Sequence, residues 1–127
     1  MEQSYLIRIL IADDHLVVRE GLAAILNPRV GVQVVAQARD GQEAVDLFHE
    51  HRPDITLMDL RMPRMDGLAA TRAILADCPE ARIIVLTAFE GEEGNSLRAG
   101  AKAIILKDAH RDELLSAIRA AHSASRE

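Results

Sequence analysis

Aromatic residues are scarce: the 127-residue sequence has no tryptophan, one tyrosine and two phenylalanines. Proteins that hold single-stranded nucleic acids or flavins commonly stack them on several aromatic side chains, so this scarcity argues against both functions. The hydrophobic content is nevertheless 49%, and a chain of this length buries roughly two thirds of its unfolded surface when it folds. Aliphatic side chains and alanine must therefore fill the core of one domain.

Cysteine and long apolar runs are missing as well. The single cysteine, Cys78, can form neither an intrachain disulfide nor a cysteine-rich zinc site. No apolar run approaches the roughly 18 residues that span a bilayer, and the amino-terminal residues lack the basic and apolar segments of a signal peptide. We therefore expect a cytoplasmic protein that does not enter the membrane.

Basic residues are fewer than acidic ones: the sequence has 15 lysines and arginines and 20 aspartates and glutamates, and its formal net charge is −5. The basic residues form no block along the sequence. Because nucleic-acid binding depends strongly on lysine and arginine side chains that neutralise phosphates, we expect no direct nucleic-acid binding by this domain.

The sequence does contain a regular alternation of short apolar runs and longer amphipathic stretches. The apolar runs lack polar alternation, which is typical of strands buried on both faces. The predicted strands are residues 7–12, 33–38, 55–58, 82–86 and 103–106. Helices are predicted between and after them, with Asp14 as the cap of the first and Arg52 near the end of the second. The fourth helix is the weakest candidate because it contains Gly94-Asn95-Ser96.

Five strand–helix repeats predict an α/β fold in which a doubly wound parallel sheet carries helices on both faces. Such sheets bind their ligands beyond the carboxyl ends of the strands. We find no linker and no second domain, so we expect one domain over residues 1–127, with its core at about residues 7–121.

Polar residues follow four of the predicted strands: Asp13-Asp14, Asp59, Thr87 and Lys107. Each residue alone has an ordinary structural interpretation as a cap, a turn or a solvated strand end. At one sheet edge, however, three carboxylates repel one another unless a cation or a proton neutralises them. Oxygen ligands without clustered cysteine or histidine favour a hard cation, Mg²⁺ or alternatively Mn²⁺. The set predicts a carboxylate nucleophile beside a metal ion, awaiting a phosphoryl group.

Five ordered motifs resemble the receiver domain of bacterial two-component response regulators. They are Asp13-Asp14, Met58-Asp59-Leu60-Arg61-Met62-Pro63, Asp66-Gly67, Leu86-Thr87-Ala88 and Lys107. The resemblance covers about residues 7–121 and is closest to the NarL/FixJ (LuxR-type) subfamily at residues 11–15, 18–22 and 107–109. It implies a (βα)5 flavodoxin-like fold with the strand order 2-1-3-4-5.

The resemblance also implies a chemistry for the site. Asp59 would be the phosphoacceptor, taking a phosphoryl group from a sensor histidine kinase. The implied ligands of Mg²⁺ are Asp13, Asp14, Asp59 and the backbone carbonyl of Arg61. The implied phosphoryl-binding and switch residues are Thr87, Ala88 and Lys107. The domain would be a phosphoacceptor rather than a turnover enzyme, and its change of conformation would control an output.

The partners implied in this way are the kinase, a second copy of the chain, and an output domain that controls transcription. No output domain is expected within these residues. Arg61 and Phe89 occupy positions at which side chains could shield the phosphoryl group. No histidine is assigned to a metal site, and His15 is expected to lie in a turn or at a helix start.

Two departures from the family pattern concern the output. Ile104 stands where an aromatic switch residue is usual. The segment from Phe89 to Gly100 is shorter than the subfamily pattern by roughly half a helical turn. We therefore expect the fourth helix to be short, displaced or partly melted.

Three other functions compete with the phosphorylated receiver. A pseudo-receiver would be an interaction module that has lost its switching, and Ile104 favours that alternative. A haloacid-type phosphatase needs a second aspartate two residues after its nucleophile, where this chain has Arg61. A flavodoxin needs a hydroxyl-rich phosphate loop and stacking aromatics, and the chain has neither.

Overall fold

Strands and helices alternate along the whole of the computed structural model, which describes residues 6–29, 31–88 and 93–124. The elements are β1 Ile7–Ala12, α1 Leu16–Leu26, β2 Val32–Ala38, α2 Gly41–His51, β3 Ile55–Asp59, α3 Gly67–Asp77, β4 Ile83–Thr87, α4 Glu93–Ala99, β5 Ala103–Leu106 and α5 Arg111–Ala124. All five predicted strands are present, and their bounds differ from the predicted ones by at most one residue at each end.

The five strands form one parallel sheet in the order β2-β1-β3-β4-β5, so the predicted topology is confirmed. The register pairs Asp59 with Leu86 and Thr87 with Leu106. The carboxyl ends of the central strands therefore meet at one edge, as the sequence predicts. Between β1 and β2 the register shifts after Ile9, which makes a bulge in the outer strand β2.

Apolar side chains leave both faces of the sheet, which explains the absence of polar alternation. In β1, Ile9 and Ile11 join a core with α1 and α5, and Leu10 joins a second core with α2 and α3. The largest buried residues of the first core are Ile9, Ile11, Leu26, Ile55, Leu57, Ile84 and Ile118. Those of the second are Leu10, Phe48, Met58, Ile74 and Ile83.

The predicted end of the second helix agrees with the structure, and the predicted cap of the first does not. The carboxylate of Asp66 accepts a hydrogen bond from the N–H of Ala69 at 2.8 Å and so opens α3. The second helix ends before Arg52, whose φ of 48° places it in the left-handed region. The prediction that Asp14 caps α1 is wrong: His15 is the cap residue, and it makes no side-chain cap bond. Both side chains face the acidic cluster described below instead.

Helix length separates α4 from the other helices. It has seven residues, whereas the other four have 11 or 14. The prediction that this helix is short is confirmed over the part of the chain that the structure describes, and its melting stays a prediction. No helix among the described residues is long and apolar enough to cross a membrane.

Candidate functional site

Three charged side chains meet at the carboxyl edge of the sheet. Asp13 directly follows β1, Asp59 ends β3, and Lys107 directly follows β5. The Nζ atom of Lys107 lies 2.8 Å from Oδ2 of Asp13 and 3.1 Å from Oδ1 of Asp59. The two aspartates are only 1% and 4% exposed. One ammonium group is thus shared by two buried carboxylates.

This arrangement shifts two pKa values upward. Burial raises the pKa of Asp59, and the charge of Asp13 raises it further, although Lys107 and the backbone N–H of Arg61 oppose the shift. Burial alone would lower the pKa of Lys107, but its hydrogen bonds to both aspartates outweigh that effect and raise it. Lys107 is therefore a fixed positive charge at neutral pH.

The acidic residues fit a divalent cation. Asp13, Asp14, His15 and Asp59 each offer one ligand atom, and these atoms lie within 4.8 Å of one another. Three carboxylates and one ammonium leave an excess of negative charge, which a divalent ion would neutralise. Carboxylate oxygens on a partly solvated rim suit Mg²⁺, which binds through one or two carboxylates and keeps several waters.

An open cleft of about 570 Å³ borders the acidic cluster. Its lining includes Asp14 of the cluster, Arg61 and Pro63 of the loop after β3, and Asn95 of α4. The structure thus places Arg61, to whose carbonyl the resemblance assigns a metal bond, beside the cluster. The backbone N–H of Arg61 donates a hydrogen bond to the Asp59 carboxylate, which opposes the rise in the pKa of that group.

The predicted switch residues lie next to Lys107. Thr87 is buried at the end of β4, and its carbonyl accepts a hydrogen bond from the backbone N–H of Lys107 at 2.8 Å. Ala88 is exposed and lines a smaller cleft with Lys107. Ile104 is half-buried on a separate shallow cleft. Phe89 lies outside the described residues.

The loop after Asp59 is held where the backbone of Gly67 lies directly against the backbone of Asp59 and Leu60. Gly67 begins α3 directly against Asp59, and a Cβ atom on Gly67 would lie 2.0 Å from the Asp59 carbonyl oxygen. The N–H of Gly67 also donates to the carbonyl of Leu60 at 2.9 Å. Glycine is therefore required at position 67, where the loop after Asp59 ends and α3 begins.

An ion pair that the sequence pattern does not indicate holds the same loop from the other side. The guanidinium of Arg64 donates from Nε and Nη2 to Oδ2 of Asp40, which is 3% exposed. The hydrogen bond from the Glu43 N–H, together with Arg64, lowers the pKa of Asp40 despite its burial. Arg64 itself has a φ of 69°, a conformation that favours glycine. The ion pair thus stabilises a strained loop residue.

Arg19 holds the first acidic loop in a comparable way. Its Nη1 atom donates to the backbone carbonyl of Asp13 at 2.7 Å. This contact joins α1 to the residue that directly follows β1. Arg19 belongs to the motif at residues 18–22, for which the sequence alone indicates no physical role. Its hydrogen bond to the Asp13 carbonyl is such a role.

The comparisons with known proteins agree with this geometry. The sequence profile described as "Response regulator receiver domain" matches residues 9–119. The chain belongs to this family. The oxygen regulatory protein NreC of Staphylococcus aureus (strain JH9) is 50% identical to the receiver domain over 115 residues, which are 88% of this chain and 53% of that protein. The chain thus spans about half the length of the curated relatives that it matches.

Solved structures show the same fold around the receiver domain. A LuxR-family two-component response regulator from Aurantimonas sp. SI85-9A1 superposes with a TM-score of 0.89 at 38% identity, over 94% of this chain and 86% of that one. A chain of the CheX–CheY–BeF3–Mg²⁺ complex from Borrelia burgdorferi gives a TM-score of 0.86 at 30% identity, over 91% and 89%. The predicted LuxR-type relationship is confirmed.

Proposed function

We propose that Asp59 accepts a phosphoryl group from the phosphohistidine of a sensor histidine kinase, with Mg²⁺, or alternatively Mn²⁺, in the acidic pocket. Response regulators generally work with such a kinase. The observation that carries the proposal is the contact of Lys107 with both Asp59 and Asp13 at the carboxyl edge of the sheet. Lys107 balances the charge of the Asp59 carboxylate through an ion pair and not a covalent bond, so the carboxylate can still act as the nucleophile.

The transfer forms one bond and breaks another. An Oδ atom of Asp59 attacks the phosphorus, the P–N bond to the kinase histidine breaks, and the electron pair returns to the imidazole. Mg²⁺, when bound, neutralises charge on the transferring oxygens. Asp13, Asp14 and the carbonyl of Arg61 are the groups that would hold it, beside Asp59 itself. Lys107 pairs with the carboxylate before the transfer and with the phosphoryl oxygens after it.

The consequence of phosphorylation is a change at the neighbouring surface. The hydroxyl of Thr87 and the space above Ala88 belong to this step in our proposal, and α4 and β5 carry it outward. Because curated relatives are about twice as long, control of transcription is proposed for an attached or partner domain. We propose that the domain itself binds no nucleic acid, turns over no substrate, functions in the cytoplasm and pairs with a second copy.

The pseudo-receiver alternative is not favoured. It would have altered or no phosphorylation-dependent switching, whereas Asp13, Asp14 and Asp59 gather in one cluster and Lys107 contacts Asp13 and Asp59. Ile104 and the short α4 concern the output and leave the acceptor intact.

Phosphorylation from acetyl phosphate with Mg²⁺ tests the proposal, with intact-protein mass spectrometry as the readout. We expect one labile phosphoryl group on the wild type and none on Asp59→Asn. Asp46→Asn is the matched control, since it removes an exposed carboxylate on α2. Absence of the adduct from the wild type, or its persistence in Asp59→Asn with wild-type circular dichroism, would overturn the proposal.

A further inference from the structure

His15 faces the acid pair, although its place in the chain is that of a helix cap. Its Nδ1 atom lies 3.2 Å from Oδ1 of Asp13 and 3.1 Å from Oδ1 of Asp14. Its backbone N–H also donates to Oδ1 of Asp13 at 2.9 Å. The side chain makes no cap bond to α1. The ring is thus directed at the cluster instead of at the helix that it begins.

The spacing of these atoms matches that of ligands around one ion. Neighbouring ligands of an octahedral cation with bonds of about 2.1 Å are separated by about 3 Å. The ring nitrogen already has this separation from each of the two carboxylate oxygens, and the whole set of ligand atoms lies within 4.8 Å. Asp59 completes a set of four ligand atoms, one of them nitrogen. The cluster therefore differs in its chemistry from a site made only of oxygen.

We propose that Nδ1 of His15 binds the cation of the acidic pocket directly and shifts the preference of the site from Mg²⁺ toward Mn²⁺ and later transition-metal ions. Imidazole binds first-row transition-metal ions more readily than it binds Mg²⁺, which prefers carboxylate, carbonyl and water oxygens. The proposal rests on the metal site of the proposed function. It assigns His15 a role in metal selectivity and none in the attack on phosphorus.

Pulsed electron paramagnetic resonance of the full chain loaded with Mn²⁺, without a phosphodonor, tests this assignment. A directly bound imidazole gives a ¹⁴N coupling, which we expect in the wild type and not in His15→Gln. His51→Gln is the matched control, because His51 ends α2 beside Arg8, near the start of β1 and away from the acidic cluster at its end, and it should keep the coupling. Labelling the wild type with ¹⁵N-histidine should change the signal without any substitution.

The second measurement is metal affinity by calorimetry. His15→Gln should weaken Mn²⁺ binding about tenfold, the scale on which metal affinity responds to changes around a site, and should change Mg²⁺ binding much less. A wild type that binds Mn²⁺ without nitrogen coupling, or one that does not bind Mn²⁺, overturns the proposal. The first result would mean that the ring only hydrogen-bonds to the carboxylates. Failure of phosphorylation with Mg²⁺ would instead overturn the proposed function, so the two fail separately.

Discussion

The two sides of the candidate site are built differently. On the acceptor side, defined as residues 13–15 and 59–67, backbone segments approach so closely that a Cβ on Gly67 would lie 2.0 Å from a carbonyl oxygen. On the output side, residues 93–106, a Cβ on Gly94 would meet nothing nearer than the Arg98 guanidinium at 3.9 Å, and one on Gly100 would meet the end of the Leu75 side chain rather than backbone. Close backbone packing thus makes the acceptor side rigid, whereas the exposed face of α4 at Gly94 has space around it.

The same contrast appears in the contacts. The Arg64–Asp40 ion pair and the Arg19–Asp13 hydrogen bond hold the two acceptor loops. On the output side, α4 has seven residues, and Leu97 within it is 54% exposed. Segments with little apolar burial open at a lower free energy than close-packed ones. We therefore expect local opening at α4 before the acceptor side opens.

Gly67→Ala tests the rigid side with the largest expected effect. The new methyl group must displace the backbone beside Asp59, so we expect a loss of about 3 kcal/mol in unfolding free energy. Phosphorylation from acetyl phosphate should fall with it. Urea denaturation measures the unfolding free energy. A variant that is as stable as the wild type would mean that the loop after Asp59 is not close-packed.

Asp40→Asn should have the next largest effect. It removes the charge that Arg64 contacts, at a cost of about 1 kcal/mol because the guanidinium is partly solvated. The folded-state pKa of Asp40 is lowered, so its contribution is present at neutral pH and is lost as pH falls through that pKa. Wild type and variant should therefore converge in acid. A difference that is independent of pH would exclude the charge as its cause.

Asp59→Asn should stabilise the metal-free protein, by less than the loss in Asp40→Asn. Because the folded-state pKa of Asp59 is raised, the wild type loses stability as pH rises from the unfolded value through the folded one. The gain in unfolding free energy should be present at pH 7 and vanish in acid. Urea titrations of both proteins, with a chelator to remove metal ions, measure it. A loss of stability at pH 7 would show that the Lys107 contact outweighs the cost of burial.

Gly94→Ala should have the smallest effect, and its sign should be opposite to that of Gly67→Ala. The methyl group meets open space, and alanine favours a helix over glycine, so we expect a gain of about 0.5 kcal/mol near this helix end. Amide exchange over residues 93–99 should be faster than in α3 and should slow in the variant. Strong protection of wild-type α4 would contradict the comparison between the two sides.

Sequence patterns predicted the framework and part of the site. Apolar runs such as residues 7–12 fix a strand, and the residue that follows it must lie at the sheet edge. The strand order came from the resemblance. Patterns did not predict the ring direction of His15 or the cap of α1, because both depend on side-chain torsions among competing carboxylates. The Arg64–Asp40 contact joins residues 24 positions apart, and charge patterns along a helix cannot indicate such a pair.

The bulge in β2 has a consequence for how copies of the chain meet. An outer strand exposes unpaired N–H and C=O groups, and a regular one invites another chain to extend the sheet. Here one outer strand is interrupted by the register shift after Ile9, and the other, β5, has only four residues. Both margins are therefore poor templates for fibril-like growth.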